Sequence, residues 1–431
     1  MPSDPHFLDT PDGRRAVDLA RDLLSGTAHD PLRARAALDR ALPGLAANDA
    51  REAMAQAQLQ LRAAARFDSA AELSWTVAGL AEASRQCATR RRAQRLLDAG
   101  VEQVADLTGG LGLDAIGFAQ AGLTVVAVER DPLVAEHARR NARRLGVDDR
   151  LSVITGSCQD EAILGGLATE AWFVDPARRP DHTRIDGSHI RLDDPERWSP
   201  PWSWVLAQVG RPRVLLAKTA PGIDHAALAT PGGATVEWVS QDGQLLEAAP
   251  LWSEAPATPG KHRAVLIDSR GRTVLELDAS TVDTSAIPKA SAPDTGEVLI
   301  DPDPAIVRAG LVRNLAAATG SRMADDHLAY LVAADPLTAQ WEHAGRQWRL
   351  VHVGPYRKRE LADACAAHGI GHVDITGRGR SLDAARVRKD LRLPGGGRRG
   401  VVAVFGLGPQ RTTLVALGVP TAQPGAPRLD P

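Results

Sequence analysis

The stretch from Val104 to Asp131, VADLTGGLGLDAIGFAQAGLTVVAVERD, constrains the fold more than any other part of the chain. It belongs to an apolar run, VEQVADL, that carries Asp106 at its end, as a buried parallel strand does. Thr108-Gly109-Gly110-Leu111-Gly112 follows. Three glycines within four residues let the backbone turn sharply and approach a ligand with no Cβ in the way. Leu113, Ile116, Phe118 and Ala119 then recur at helical spacing, and Gly122 ends the helix. TVVAVERD is a second buried strand that finishes on Glu129, 17 residues after Gly112. Strand, glycine turn, helix and strand in that order predict an α/β domain on a doubly wound parallel sheet. A carboxylate at the end of the second strand lies beside the glycine turn in such a sheet, where it can accept both hydroxyls of a ribose.

The glycine turn alone also fits the dinucleotide pattern G-x-G-x-x-A, which keeps a nicotinamide-dependent oxidoreductase open as an alternative. Two features point away from it. Asp106 stands just before the glycines, where nicotinamide-binding folds keep an apolar residue, and a later apolar run, AWFVDPARR, ends on Asp175-Pro176-Ala177-Arg178. No His or Tyr-x-x-x-Lys is placed for hydride transfer. A D-x-x-G-G-x-G turn, an acid, and then D-P-x-R resemble the class I S-adenosylmethionine-dependent methyltransferases. With ASRQCAT, ADLTGGLGLD, VERD, VDPARR and DPDPAIVRAG, roughly residues 70 to 418 look like a bacterial group of these enzymes with a C-terminal THUMP-like domain.

The resemblance implies a Rossmann-like seven-stranded methyltransferase sheet with an N-terminal helical region and a small C-terminal α+β THUMP-like domain. It implies S-adenosylmethionine as cofactor, held by Asp106, Thr108, Gly109, Gly110, Gly112, Asp114, Glu129, Arg130, Ser157 and Cys158. Asp175, Pro176 and Arg178 are the expected catalytic group, with Asp175 orienting or deprotonating the methyl acceptor. Arg178 serves either as a phosphate contact or as an ion pair holding the following loop. Arg179, Lys218, Arg357, Lys358 and Arg359 are expected to meet substrate. Lys218, in LLAKTAPG, equally well meets a phosphate or carboxylate or ends a strand. Cys158 is expected to pack against the adenine rather than act as a nucleophile.

THUMP domains occur in enzymes that modify structured RNA, so the implied substrate is tRNA or rRNA. A protein or small metabolite is the alternative, and neither DNA nor a metal ion is expected. Ala177 and Arg178 stand where exocyclic-amine methyltransferases place a stacking aromatic. D-P-x-R is also similar to the uracil C5 methyltransferases, which need a later cysteine that LLAKTAPG does not hold.

The rest of the chain divides around this centre. Residues 1–98 read as helices, GRRAVDLARDLL, PLRARAALDRAL, ANDAREAMAQAQLQLRAAARF, SAAELSWTVAGLAEAS and LAEASRQCATRRRAQRLLDAG. In the last of them Ser84, Gln86 and Thr89 either line the cofactor pocket or lie on a solvated face. Residues 99–283 form the methyltransferase domain, with Asp131 and Pro132 starting a helix and RLSVITGSC, AWFVD, RVLLAK, ATVEWVS and RAVLID as further strands. The long connection after Asp175 carries Trp198, Trp202 and Trp204. A linker at 284–295 leads to the THUMP-like domain at 296–419. There a helix, PAIVRAGLVRNLAAATG, precedes the strands RQWRLVHVG, HVDITG, RGVVAVFG and RTTLVALG alternating with the helices KRELADACAAHG and DAARVRKDLRL, and 420–431 reads as a disordered tail.

From Arg346 to Arg399 the chain has 13 Lys and Arg against 5 Asp and Glu, a local charge of +8 where the whole carries −2. Such segregation suits an anion-binding module, or else a solvated basic face. Three widely spaced cysteines, no apolar leader and no long apolar span point to a reduced, cytoplasmic chain with no membrane segment.

Overall fold

The computed structural model describes residues 7–26, 30–178, 184–185, 188–189, 194–228, 233–253, 262–280, 284, 287–378, 383–407 and 412–421. Helices come first. α1 (Pro11–Gly26), α2 (Pro31–Ala41) and α3 (Ala47–Ala63) bury Ala16, Ala20, Leu24, Leu38, Ala50, Ala53 and Ala57 against one another. The stretch SAAELSWTVAGLAEAS yields only a short helix, α4 (Val77–Glu82), capped by Thr76 Oγ1, which accepts from the Gly79 N–H (3.0 Å). The residues before it are drawn out of helical bonding by distant side chains. The Ser74 N–H donates to Asn141 Oδ1 (2.7 Å) and the Trp75 N–H to Gln56 Oε1 (3.0 Å). The chain breaks again before α5 (Gln86–Asp98), so Ser84 lies outside that helix.

The central sheet has nine strands rather than seven. They are β1 (Gln103–Asp106), β2 (Thr124–Glu129), β3 (Leu151–Thr155), β4 (Ala171–Val174), β7 (Val214–Ala217), β8 (Thr235–Gln241), β9 (Gln244–Ser253), β10 (His262–Ile267) and β11 (Thr273–Asp278). The short pair β5 (Arg184–Ile185) and β6 (Ser188–His189) forms a separate ladder. The order across the large sheet is β11-β10-β8-β9-β7-β4-β1-β2-β3. β1, β2, β3, β4 and β7 run parallel, while β9 runs antiparallel to both β7 and β8.

The two strands absent from the sequence reading are β9 and β11. β8 and β9 form a hairpin closed by Asp242 (φ 51°) and Gly243 (φ 74°), the left-handed pair that an Asp-Gly turn supplies. α6 (Leu113–Gln120) and α7 (Pro132–Arg144) cover one face with α5, and Asp131 caps α7 by accepting from the Leu133 N–H (2.8 Å). α8 (Glu161–Gly166), α9 (Trp202–Ala207) and α10 (His225–Leu228) follow the middle strands.

A second sheet of seven strands has the order β13-β14-β12-β15-β18-β17-β16. Its strands are β12 (Val298–Pro302), β13 (Arg322–Asp325), β14 (Leu328–Ala333), β15 (Gly345–Gly354), β16 (Ile370–Arg378), β17 (Arg398–Leu407) and β18 (Thr412–Pro420). The last four match strands read from the sequence; β12, β13 and β14 do not. α13 (Lys358–Ala367) and α14 (Ala384–Leu391) cover one face through Leu361, Cys365, Val387 and Leu391.

α11 (Pro304–Arg308) and α12 (Val312–Thr319) leave β12 and pack toward the large sheet. Ile306, Leu311 and Leu315 share one apolar cluster with Trp172, Trp238 and Ala264. Of the linker segment, Ser291 donates its N–H to Met323 O (3.1 Å). β18 extends to Pro420, and the Thr421 N–H reaches Gln347 O (3.2 Å), while 422–431 lie outside the described residues.

Candidate active site

The sheet order reverses at β1, whose neighbours are β2 and β4, and the candidate residues gather at the carboxyl ends of these strands. Backbone bonds set the spacing. The Leu107 N–H donates to Phe173 O (2.9 Å), and the Gly109 N–H to Val128 O (2.9 Å). The Asp175 N–H donates to Thr108 Oγ1 (2.8 Å), which ties the glycine turn to the Asp-Pro-Ala-Arg segment.

Two glycines in the turn are required for different reasons. Gly112 has φ 79°, and a Cβ there would meet Ala138 of α7 at 3.2 Å. Gly110 has φ 53°, but a Cβ would find no described atom nearer than Thr108 O at 3.9 Å. The backbone at Gly110 therefore turns left-handed beside open space, as a ligand-approach position must.

Glu129 closes over this turn. Its Oε2 accepts from the Gly110 N–H (2.8 Å) and its Oε1 from the Asp131 N–H (2.8 Å). Asp106 is buried and accepts from the Thr108 N–H (3.1 Å). Burial, then the Asp114 carboxylate, with Asp175 and Glu129 adding, raise its pKa to about 8 against the pull of the Thr108 N–H.

Asp114, in the first turn of α6, belongs to a different partnership. Arg92 of α5 and Thr89 Oγ1 both bond its Oδ1, and Ser84 Oγ donates to Oδ2 (3.3 Å). Burial works against ionisation of Asp114, but Arg92, then Lys218 and the Thr89 bond, hold its pKa below the usual carboxylate range. Ser84 and Thr89 thus face the start of α6 and are buried rather than solvated, while Gln86 accepts from the Asp68 N–H (3.0 Å).

The sequence reading passed over Arg92. It is fully buried, pairs with Glu247 of β9 as well as Asp114, and stands over the Phe173 ring at 5.3 Å. Arg91 grips Glu237 of β8 through two bonds (2.7 and 3.0 Å), and Arg95 Nε lies 3.2 Å from the same carboxylate. The arginine spacing on α5 and one acid inside each apolar strand were the available signal.

Asp175 follows β4 and Lys218 follows β7, its neighbour in the sheet. The Lys218 ammonium bonds Asp175 Oδ2. The two side chains are 11% and 21% exposed, so the pair is held yet open to a solute. Pro176 is buried and Arg178 half-buried. Ala177 bonds Ser199 in both directions (2.8 and 3.0 Å), which folds the long connection back beside the site. Arg179 lies outside the described residues.

Trp198 and Trp202 are buried in the core, 6.0 Å apart, and Trp204 packs half-buried against it. Arg130 is exposed and donates to Ser199 Oγ (3.2 Å). Ser157 is exposed, and Cys158 is half-buried with its thiol pushed up to about 11 by burial. Arg357, Lys358 and Arg359 lie on the second unit, at the start of α13.

The site thus offers the buried Asp106 carboxyl, which a bound cation would draw toward its ionised form, a diol-sized acceptor in Glu129, and open backbone at Gly110. That donor set fits S-adenosylmethionine, which carries a sulfonium, an ammonium and a ribose.

A mostly parallel sheet carrying this turn at its switch point is the frame of a nucleoside-binding α/β protein. Residues 101–202 match the family model described as RNA cap guanine-N2 methyltransferase, and 345–428 match the one described as THUMP domain-like. An uncharacterised S-adenosylmethionine-dependent methyltransferase of Mycobacterium tuberculosis is 29% identical over 323 residues, covering 74% of this chain and 81% of that protein. A 23S rRNA (uracil(1939)-C(5))-methyltransferase of Azoarcus is 37% identical over 94 residues, 21% of either chain. A solved structure from Porphyromonas gingivalis W83 covers 95% of this chain and 99% of its own at 19% identity and a TM-score of 0.72, a likeness of fold. The chain is a class I S-adenosylmethionine-dependent methyltransferase with a C-terminal THUMP-like domain.

Proposed function

We propose that this enzyme methylates structured RNA, using the Asp175–Lys218 pair at the carboxyl ends of β4 and β7. That pair is the observation the reading rests on. The sulfonium of S-adenosylmethionine supplies an activated methyl group, so the protein's task is chiefly to place and orient a nucleophile. Glu129 receives the ribose hydroxyls, Gly110 lets the cofactor approach, and Asp106 faces its cationic part. Thr108 fixes Asp175 to the glycine turn from below, and Lys218 holds the Asp175 carboxylate. Asp175 then orients an N–H of the acceptor and takes its proton as the nitrogen gains the methyl group. LLAKTAPG holds no cysteine, and burial pushes the Cys158 thiol up to about 11, which together favour a nitrogen over a uracil carbon as acceptor.

The RNA reading is supported by the charge of +8 over residues 346–399, by the THUMP domain-like match, and by the similarity to the rRNA methyltransferase of Azoarcus. The basic segments YRKRE and RVRKDLR converge in the fold. Lys358 (3.5 Å), Arg386 (3.9 Å) and the Tyr356 hydroxyl (3.2 Å) all meet Asp390. Arg359, Lys389, Arg392 and Arg398 are exposed and make no ion pair with a described residue, so they are placed to meet phosphates.

Mass spectrometry of nucleosides from total RNA, with and without the gene, tests the substrate. Loss of one methylated nucleoside is expected, and an unchanged profile removes RNA. Asp175→Asn should slow single-turnover transfer at least about tenfold while S-adenosylmethionine affinity changes less than about tenfold. A near-native rate would remove Asp175 from the chemistry.

A further inference from the structure

The sequence motif DPDPAIVRAG lies outside both the cofactor turn and the basic surface, and its contacts give it a task. Asp303 caps α11 by accepting from the Ala305 N–H (2.8 Å), and the same oxygen accepts from Ser240 Oγ of β8 (2.6 Å). α11 is thereby pinned to the methyltransferase sheet at a buried point. Arg308, at the other end of α11, then reaches the loop that follows β7. Its Nε donates to Pro221 O (3.2 Å) and its Nη2 to Ile223 O (3.0 Å). His225 Nε2 bonds back to Arg308 O (2.8 Å). This is the loop that begins with Lys218. Within it the Lys218 N–H donates to Val174 O (2.9 Å) and the Thr219 N–H to Ala248 O (2.8 Å).

We infer that Arg308 is a positioning residue: it clamps the loop Lys218–His225 and so holds the Lys218 ammonium against Asp175. Two backbone carbonyls, three and five positions after the lysine, are fixed by one planar guanidinium, a geometry that a lysine at 308 cannot copy. The strand before α11, β12, belongs to the second sheet, so the clamp is mounted on an element of the THUMP-like side of the molecule. The inference rests on the reading of Asp175 and Lys218 as the acceptor site only for its consequence in catalysis; the clamp itself is a matter of contacts.

The chain has five lysines, which makes the clamp measurable without a substrate. Acetic anhydride labelling, resolved by mass spectrometry, reports each one. In the unaltered protein Lys218 should react at least about tenfold more slowly than exposed Lys289, Lys358 and Lys389, because it is buried and paired. Arg308→Gln should raise the Lys218 rate toward theirs and leave the other three unchanged, with S-adenosylmethionine binding retained as evidence of an intact fold. Arg308→Lys, a milder change, should give an intermediate rate. An unchanged Lys218 rate in either folded variant overturns the clamp.

Methyl transfer to RNA from cells lacking the gene adds a second measurement. Lys218→Met and Arg308→Gln should each lower the rate, and the double variant should be no slower than Lys218→Met alone. Effects that multiply would show that Arg308 acts elsewhere. If no RNA accepts a methyl group, the substrate reading fails, while the labelling result still decides the clamp.

Discussion

Arg92 offers the most demanding test of the forces at this site. Its guanidinium is 1% exposed, and its partners Glu247 and Asp114 are 2% and 13% exposed. Water cannot screen what is left when it goes. Arg92→Met keeps the volume but strands two carboxylates, and breaking a buried pair in this way costs about 3–5 kcal/mol. The Phe173 ring beneath it adds at most about 1–2 kcal/mol of lost cation–π attraction. A total near 4 kcal/mol would be a large share of the stability of an ordinary domain. Urea unfolding followed through the chain's tryptophans measures it. The diagnostic comparison is Arg92→Met with Asp114→Asn and Glu247→Gln, which removes all three charges. The triple variant should recover at least half of the loss, because the penalty lies in the uncompensated charges and not in the missing contact. A single substitution costing under about 1 kcal/mol, or a triple costing more than the single, would refute the electrostatic account.

Other variants address the cofactor, the pH dependence and the RNA. Glu129→Ala should weaken S-adenosylmethionine binding by about 1.5–3 kcal/mol, through lost charged bonds and a loosened turn; calorimetry showing unchanged affinity would remove Glu129 from the cofactor site. Gly110→Val should abolish binding, since φ 53° and the ligand's approach both exclude a branched side chain. Asp106 has its pKa raised from 3.8 to about 8, so the stability linked to its proton is full below pH 3.8 and drains away as pH rises toward 8. Asp106→Asn should therefore lose less stability than the native chain between those limits in urea titrations, and equal slopes would show Asp106 ionised throughout. In filter binding of tRNA at several salt concentrations, Arg359→Ser should flatten the salt slope by about one unit. Arg357→Ser and Lys358→Ser should do less, because Glu360 and Asp390 already hold those charges, and no salt dependence at all would dismiss the phosphate contacts.

The centre of the fold was legible because its physics is local. Asp106, the glycines and Glu129 lie within one strand-turn-helix-strand unit, and their spacing alone brings them together. Asp131 with Pro132 announced α7 in the same way. What escaped was mostly set by distant partners. SAAELSWTVAGLAEAS has helical spacing, but Asn141 and Gln56, far away in sequence, take the Ser74 and Trp75 backbone. β9 was missed although Asp242-Gly243 is a strong hairpin signal, because Glu247 and Pro250 look unlike a buried strand until Arg92 is seen beside it. The ion pair of Asp114 with Arg92 of α5 could not be read from spacing. β12 and β13 are short and mixed in polarity, whereas β14, LAYLVA, is a six-residue apolar run that was legible and was passed over.

The apolar cluster that runs from Trp172 through Trp238 to Ile306 and Leu315 has a bearing on how the molecule comes apart. Side chains from both sheets complete one another there, so that shared face of each stays closed only with the other in place. Such elements lose their structure together in a single cooperative step rather than as separable blocks. Under heat, a core substitution or a protease acting on that cluster, loss of the methyl-transfer site and loss of the basic surface would then coincide in one transition.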